Sequence, residues 1–186
     1  MSLAKGESLN QETWSDFVER LRDGVRGERV DEHCTADAIF EVQELRTVYG
    51  IDLDYTDNKA VYCNEDGEIY FKDPDDWFVH IQEYETVEAD GWDSLSISDK
   101  WDFIELFDGW TVTGYSEEWR HVNSHLTYEA AEAFIARKKH DFGKLQIFVE
   151  SRYWCWEFNA IINGILDGKI VLASADSTLP EVTSNV

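Results

Sequence analysis

Residues 52–58, DLDYTDN, place oxygen-bearing side chains at alternate positions in the manner of a calcium-binding loop. Asp52, Asp54 and Thr56 occupy the first, third and fifth places. The sixth place, where such a loop turns on Gly, is Asp57, and the twelfth, where it needs a bidentate Glu, is Cys63. The stretch therefore reads as an acidic surface loop. Thiols and imidazoles offer a second chemistry. His33 and Cys34 together with Cys63 or His80 carry zinc-ligand atoms, but no paired-cysteine spacing organises them. His121 and His125 are four apart in a stretch that reads as strand and helix cap, so that spacing does not set both on one face of a helix. Cys155 lies in SRYWCWEF, where apolar neighbours raise a thiol's pKa and quiet it. It is expected to be a small buried hydrophobe, as is Cys63, which is in phase with Val61. No nucleophile elbow, Gly-rich phosphate loop or kinase-type set is present. No catalytic residue, metal ligand or cofactor is predicted.

What the chain has in abundance is carboxylate. Asp and Glu number 39 against 16 Lys and Arg, a formal net charge of -23. Repulsion of that size makes nucleic acid and anionic membrane poor direct partners. Three causes of such acidity compete. One is a solvated surface that aids solubility. Another is adaptation to high salt, against which stand eight lysines, abundant large aromatics and nearly equal Asp and Glu. The third is imitation of a polyanion, in which carboxylates on a rigid fold reproduce the phosphate field that basic grooves attract.

The third reading points to Asp52, Asp54 and Asp57 in DLDYTD, and to Glu65, Asp66 and Glu68 in NEDGE. It adds Asp73, Asp75 and Asp76 in DPDD, and Glu88, Asp90 and Asp93 in EADGWD. The expected partner is a protein with a basic nucleic-acid-binding groove. Two other functions fit the composition. One is a scaffold or regulatory module whose acidity is only solvation. The other is a small hydrolase or nuclease with carboxylates holding a divalent metal. The exception to the acidity, Arg137-Lys138-Lys139-His140, falls at the end of a predicted helix, where cations suit the negative end of the dipole.

The elements that position these residues follow from periodicity. Trp14, Phe17, Val18, Leu21 and Val25 make one helical stripe, with Asn10 as cap and Gly24 or Gly27 as stop. Residues 28–35 read as a polar connection. Phe40 and Val42 alternate with Glu41 and Gln43 in a strand over 38–49. KAVYCNEDGEIYF is a hairpin turning on Asp66-Gly67. Asp73-Pro74-Asp75-Asp76 reads as a break before a strand in WFVHIQEYETV. Over 88–116 helix and strand patterns are equally matched, and Gly91, Gly109 and Gly114 punctuate the segment. A strand follows at 118–122, then a helix opened by Thr127 and stopped by Gly143, then a strand in KLQIFVES. Trp154, Phe158, Ile161, Ile162 and Ile165 repeat at helical spacing in a last helix ended by Gly168, before a short KIVLA strand. The recurrence of Trp92, Trp101, Trp110 and Trp119 at nine-residue intervals, with Trp77 upstream, matches neither period and reads as coincidence. Aromatics beyond the needs of the core are expected to form a contact surface.

Mixed elements without βαβ alternation predict an α+β fold: one domain, with an antiparallel sheet and about three helices packed mainly on one face. Residues 1–9 read as a flexible N-terminus or cloning remnant, 10–175 as the domain and 176–186 as a tail. The start lacks signal-peptide features, the three cysteines form no disulfide framework, and no apolar run is long enough for a membrane span. A soluble cytosolic protein with reduced thiols is expected.

The C-terminal third, from EEWRHVNSHLTYEAAEAF to SRYWCWEFNAIINGIL, resembles a group of uncharacterised proteins carried by phages, prophages and plasmids of Gram-negative bacteria. Trp119 and Val122 match that group's strand. Thr127, Ala131, Glu132, Phe134 and Ile135 match its following helix. His140 falls at the Lys-His pair, Val149 and Ser151 in the next strand, and Trp156 and Glu157 at the start of the last helix. The earlier HCTADAIFEVQ and VYGIDLDY are similar as well, so about two thirds of the chain is covered. The resemblance implies origin on a mobile element and no particular activity. It adds weight to the roles of phage accessory proteins, among them acidic inhibitors of restriction or CRISPR enzymes.

Overall fold

The computed structural model describes residues 2–33, 35, 37–67, 70–84 and 91–173. Cys34, Glu68, Glu88, Asp90 and the expected 176–186 tail lie outside the described residues. The fold is α+β. Five strands, β1 (Ala38–Ile51), β2 (Lys59–Cys63), β3 (Tyr70–Phe71), β4 (Trp110–His125) and β5 (Leu145–Ser151), form one sheet in the order β3-β2-β4-β1-β5. The described residues also hold five α-helices: α1 (Gln11–Arg26), α2 (Pro74–Tyr84), α3 (Ile97–Ile104), α4 (Tyr128–Lys138) and α5 (Trp156–Leu166). With three short 3-10 helices besides, the expectation of about three helices is too low. The chain divides into two compact units, one of residues 1–45 and 119–186, the other of residues 46–118.

In the first unit the β1 alternation holds. Phe40 and Val42 are buried and pair with Val149 and Ile147 of antiparallel β5. Ala131 of α4 and the half-buried Leu145 and Phe134 close around them. The α1 stripe is as expected: Leu21 is buried with Ile162, Ile165 and Leu166, and Trp14, Phe17, Val18 and Val25 pack beside them. The Asn10 and Thr13 backbone N–H groups each donate to the other's side-chain oxygen at 2.9 Å, a reciprocal cap. Residues 28–33, read as a connection, form a 3-10 helix that sets His33 edge-on to Phe40 at 4.8 Å. Near the N-terminus, Leu3–Lys5 form a further 3-10 turn capped by Ser2.

One stop signal and one strand depart from expectation. α4 closes at Lys139, whose N–H donates to the Ile135 carbonyl. Gly143 lies beyond that end, and its N–H donates to the buried Glu44 carboxylate at 2.9 Å. Gly168 does end α5, in the left-handed region at φ 71°. The KIVLA strand is not formed. The Lys169 and Ile170 N–H groups instead fold back onto the Gly164 carbonyl and close the helix end.

In the second unit the hairpin holds, with Val61 opposite Phe71 and Tyr62 opposite Tyr70. The strand expected at WFVHIQEYETV is α2 as far as Tyr84. Pro74 is its first residue, where a missing N–H is harmless, and Asp73 accepts the Asp75 N–H at 2.9 Å. In the ambiguous middle, α3 begins at a reciprocal cap of Ser96 and Asp99, and β4 follows from Trp110. The core of this unit gathers Trp77, Trp92 and Trp101, all buried, with Trp110 packed against them. Trp77 and three of the four tryptophans spaced nine residues apart thus share one core. Only Trp119 lies elsewhere, under the Lys144 ammonium.

Gly114 is a strand residue rather than punctuation. A methyl group there would stand 2.4 Å from Thr56 Cγ2 and 2.5 Å from the Ile51 carbonyl oxygen. That carbonyl is backbone and cannot swing away. Gly114→Ala is expected to cost about 2 kcal/mol or more of stability, read by urea unfolding.

Candidate functional site

Charge is unevenly shared. Residues 46–118 carry twenty Asp and Glu against four Lys and Arg, a formal charge of -16, whereas the other 113 residues together carry -7. All twelve carboxylates singled out in the sequence belong to that unit. The nine that are described, Asp52, Asp54, Asp57, Glu65, Asp66, Asp73, Asp75, Asp76 and Asp93, are all exposed.

They do different work. Asp52 accepts the Asp54 N–H and shapes the loop after β1. Asp73 caps α2. Asp75 is a tie: its Oδ1 accepts from Lys100 Nζ and from Trp92 Nε1, both at 2.6 Å. The Lys100 ammonium also lies 5.2 Å from the Trp92 ring centre. Hydrogen bonds from Lys100 first and Trp92 second hold the Asp75 carboxyl below the usual carboxylate range. A depressed folded-state pKa stabilises the fold above the ordinary value of about 3.9, and that stability is lost as pH falls through the folded pKa. Asp75→Ala leaves the indole N–H of buried Trp92 without its acceptor. The expected cost is about 1–2 kcal/mol at neutral pH. In urea titrations at a series of pH values, the gap from the unsubstituted protein should shrink below about pH 4.

Among the described residues of this unit, two depressions stand out. One, of about 450 Å³, brings Asp57 and Asp73 together with Lys59, Lys72 and Tyr115. Lys72 there bonds Glu117 at 2.8 Å, so the charge of this depression is mixed. The other is a cleft of about 710 Å³. The ends of β2 and β4 supply Cys63 and Trp110, which face each other in the strand register. The hairpin turn supplies Glu65 and Asp66, α2 supplies His80 and Tyr84, and the turn into β4 supplies Asp108 and Gly109. Gly109 holds φ 86° and its carbonyl accepts the Asn64 N–H at 2.7 Å, joining the two turns that carry the acids. His80 stands between Tyr84 and Trp110, at ring separations of 4.9 and 5.9 Å. Asp108, Tyr84 and Trp110 are the functional candidates that sequence reasoning missed. The one signal available was Asp108-Gly109 as a turn pair directly before an aromatic.

Outside this unit, SRYWCWEF corrects the expectation for Cys155. The thiol is exposed, at the residue that precedes α5. Around it Tyr153, Trp154 and Trp156 expose 60%, 77% and 74% of their surface, which is rare for rings of this size. The basic island closes α4 as anticipated, and Lys138 and His140 both meet Asp141. Burial first and Arg137 second hold the pKa of His125 below its ordinary value.

Among the described residues no three His, Cys, Asp or Glu side chains group to hold a metal ion, and no helix is long and apolar enough to cross a membrane. His33, named with Cys63 and His80 as a zinc candidate, is buried against Phe40 and Tyr128. No protein-family model, curated protein or solved structure matches the chain.

Proposed function

We propose that this chain is a non-enzymatic accessory protein of a mobile element. It binds and inhibits a nucleic-acid-handling host defence protein, of restriction or CRISPR type, by presenting carboxylates where that partner expects phosphates. The observation that supports this most is the concentration of -16 in residues 46–118. Solubility alone asks for charge of either sign spread over a surface. Here the described carboxylates of one unit point outward from a tryptophan-rich core, a rigid base that keeps a charge pattern in place. The mobile-element origin and the cytosolic setting come with this proposal.

The test is binding of the intact chain to candidate restriction and CRISPR complexes from about 50 to about 500 mM NaCl. A steep fall in affinity with salt is expected, together with displacement of the chain by duplex DNA. Absence of binding, or an affinity indifferent to salt, overturns the proposal.

A second reading, a scaffold that binds through apolar contact and is acidic only for solvation, draws on exposed Tyr153, Trp154 and Trp156. Its affinity would hold or rise with salt. Trp154→Ala and Trp156→Ala would abolish it while leaving the fold intact.

A further inference from the structure

We propose that the cleft between the β2-β3 turn, α2 and the start of β4 takes an arginine side chain of the partner, as the anchor of the interface. This rests on the reading of the chain as a binder of basic protein surfaces, and it names the group recognised.

The cleft combines two features. Glu65, Asp66 and Asp108 are exposed, and among the described residues none of the three has an ion-pair partner, whereas Asp75 and Glu117 are engaged by lysines. Among the described residues no Lys or Arg lines the cleft. Independently of the acids, one wall is aromatic: His80 lies against both Tyr84 and Trp110. A planar, weakly hydrated guanidinium uses both features, since its faces stack on rings and its edge donates in a fork to carboxylates. A compact, strongly hydrated ammonium uses the rings less well. At about 710 Å³ the space exceeds a bare guanidinium and suits a whole side chain with its flanking backbone.

The experiment uses the full chain labelled with ¹⁵N and a capped Gly-Arg-Gly peptide, with the citrulline peptide as its uncharged isostere. Indole N–H resonances are followed, and that of Trp110 is assigned from Trp110→Phe. The arginine peptide is expected to shift Trp110 saturably with a Kd of order 1 mM, with no response from Trp119. Asp66→Asn with Asp108→Asn should weaken it about tenfold, while Glu19→Gln with Glu132→Gln leaves it unchanged. Equal binding of the citrulline peptide, a shift at Trp119 instead of Trp110, or full affinity in the Asp66/Asp108 variant overturns the proposal. The probe needs no partner protein, so the two proposals fail separately. Arginine binding without any defence-protein target would remove the larger function and leave the cleft, and the reverse result would remove the cleft alone.

Discussion

Amide replacement of Asp54, Asp57, Glu65, Asp66, Asp76 and Asp93 together is expected to weaken partner binding about a hundredfold at low salt and to flatten its salt dependence. The choice follows from what each carboxylate does. All six are exposed, and none of their side chains accepts a hydrogen bond from another described residue. Asp52, Asp73 and Asp75 are left alone because each holds backbone or side chain in place. The isosteric amides keep side-chain volume and remove only charge, so folding should not suffer. Relief of self-repulsion should instead raise Tm slightly, by an amount that shrinks as salt screens the charges. The control removes as many charges from the other unit, at Glu19, Asp23, Glu28, Asp31, Glu132 and Glu157, all exposed as well. Calorimetric titration of both variants at two salt concentrations separates the outcomes. A loss confined to the first set, with a shallower salt slope, is the expected result. An equal loss from both sets would mean that net charge, and not a placed phosphate-like pattern, governs binding. No loss from either would sink the electrostatic proposal and leave the aromatic surface of residues 153–156.

The parts of this fold that were legible in the sequence are those fixed by local physics. Asn10 announces α1, Asp66-Gly67 turns the hairpin, and the Phe40/Val42 alternation places a strand with one face buried. The failures have equally local causes. In WFVHIQEY, Trp77, Val79 and Ile81 alternate as a strand would, but Trp77, Phe78 and Ile81 also fit one helical face. The structure buries that second set and leaves Val79 62% exposed. Pro74 decides between the two patterns, and it does so as a helix starter rather than a breaker. Ser96 and Asp99 carried a comparable start signal for α3 inside a segment whose apolar spacing was ambiguous. The cleft is a different case. It assembles residues 63–66, 80–84 and 108–110, whose adjacency depends on β2 pairing with β4 and on α2 packing over Val61. No local period encodes that, so Glu65 and Asp66 could be named from sequence while their aromatic wall could not. Cys155 was misplaced for a related reason. A run of aromatics signals burial only when the chain has somewhere to bury it, and the turn before α5 turns these rings outward.

That turn is held by one buried cation, and its removal is the substitution expected to be most damaging to the fold. Arg152 keeps only 4% of its surface in solvent although it carries a full charge. Its guanidinium donates to Asn159 Oδ1, lies 3.4 Å from Asp37 Oδ1, and covers the Phe158 ring at 5.9 Å. Its backbone closes the same junction. The Arg152 N–H donates to the Asp37 carbonyl at 2.9 Å, and its own carbonyl accepts from Cys155 N–H and Asn159 Nδ2. Burial pulls the pKa of this arginine below its ordinary value against the opposing pull of Asp37, yet an arginine stays charged at any pH the fold meets. Arg152→Met therefore keeps the apolar stem and strands the acceptors. A loss of about 3 kcal/mol is expected, which for a chain of this length is a fall in Tm of roughly 10 °C. Arg152→Lys should fall between the two, because one ammonium cannot serve Asn159 and Asp37 in the guanidinium's fork. In a double-mutant cycle, adding Asp37→Asn to Arg152→Met should cost less than Asp37→Asn does alone, since the partner is already gone. Additive losses, or a Tm within about 2 °C of the unsubstituted protein, would show that the buried contacts carry no net stability. The same variant bears on function. Tyr153 and Trp154 directly follow this arginine, so loosening it below the melting temperature should erode binding through the aromatic surface while leaving the carboxylate-driven, salt-sensitive binding of residues 46–118 in place.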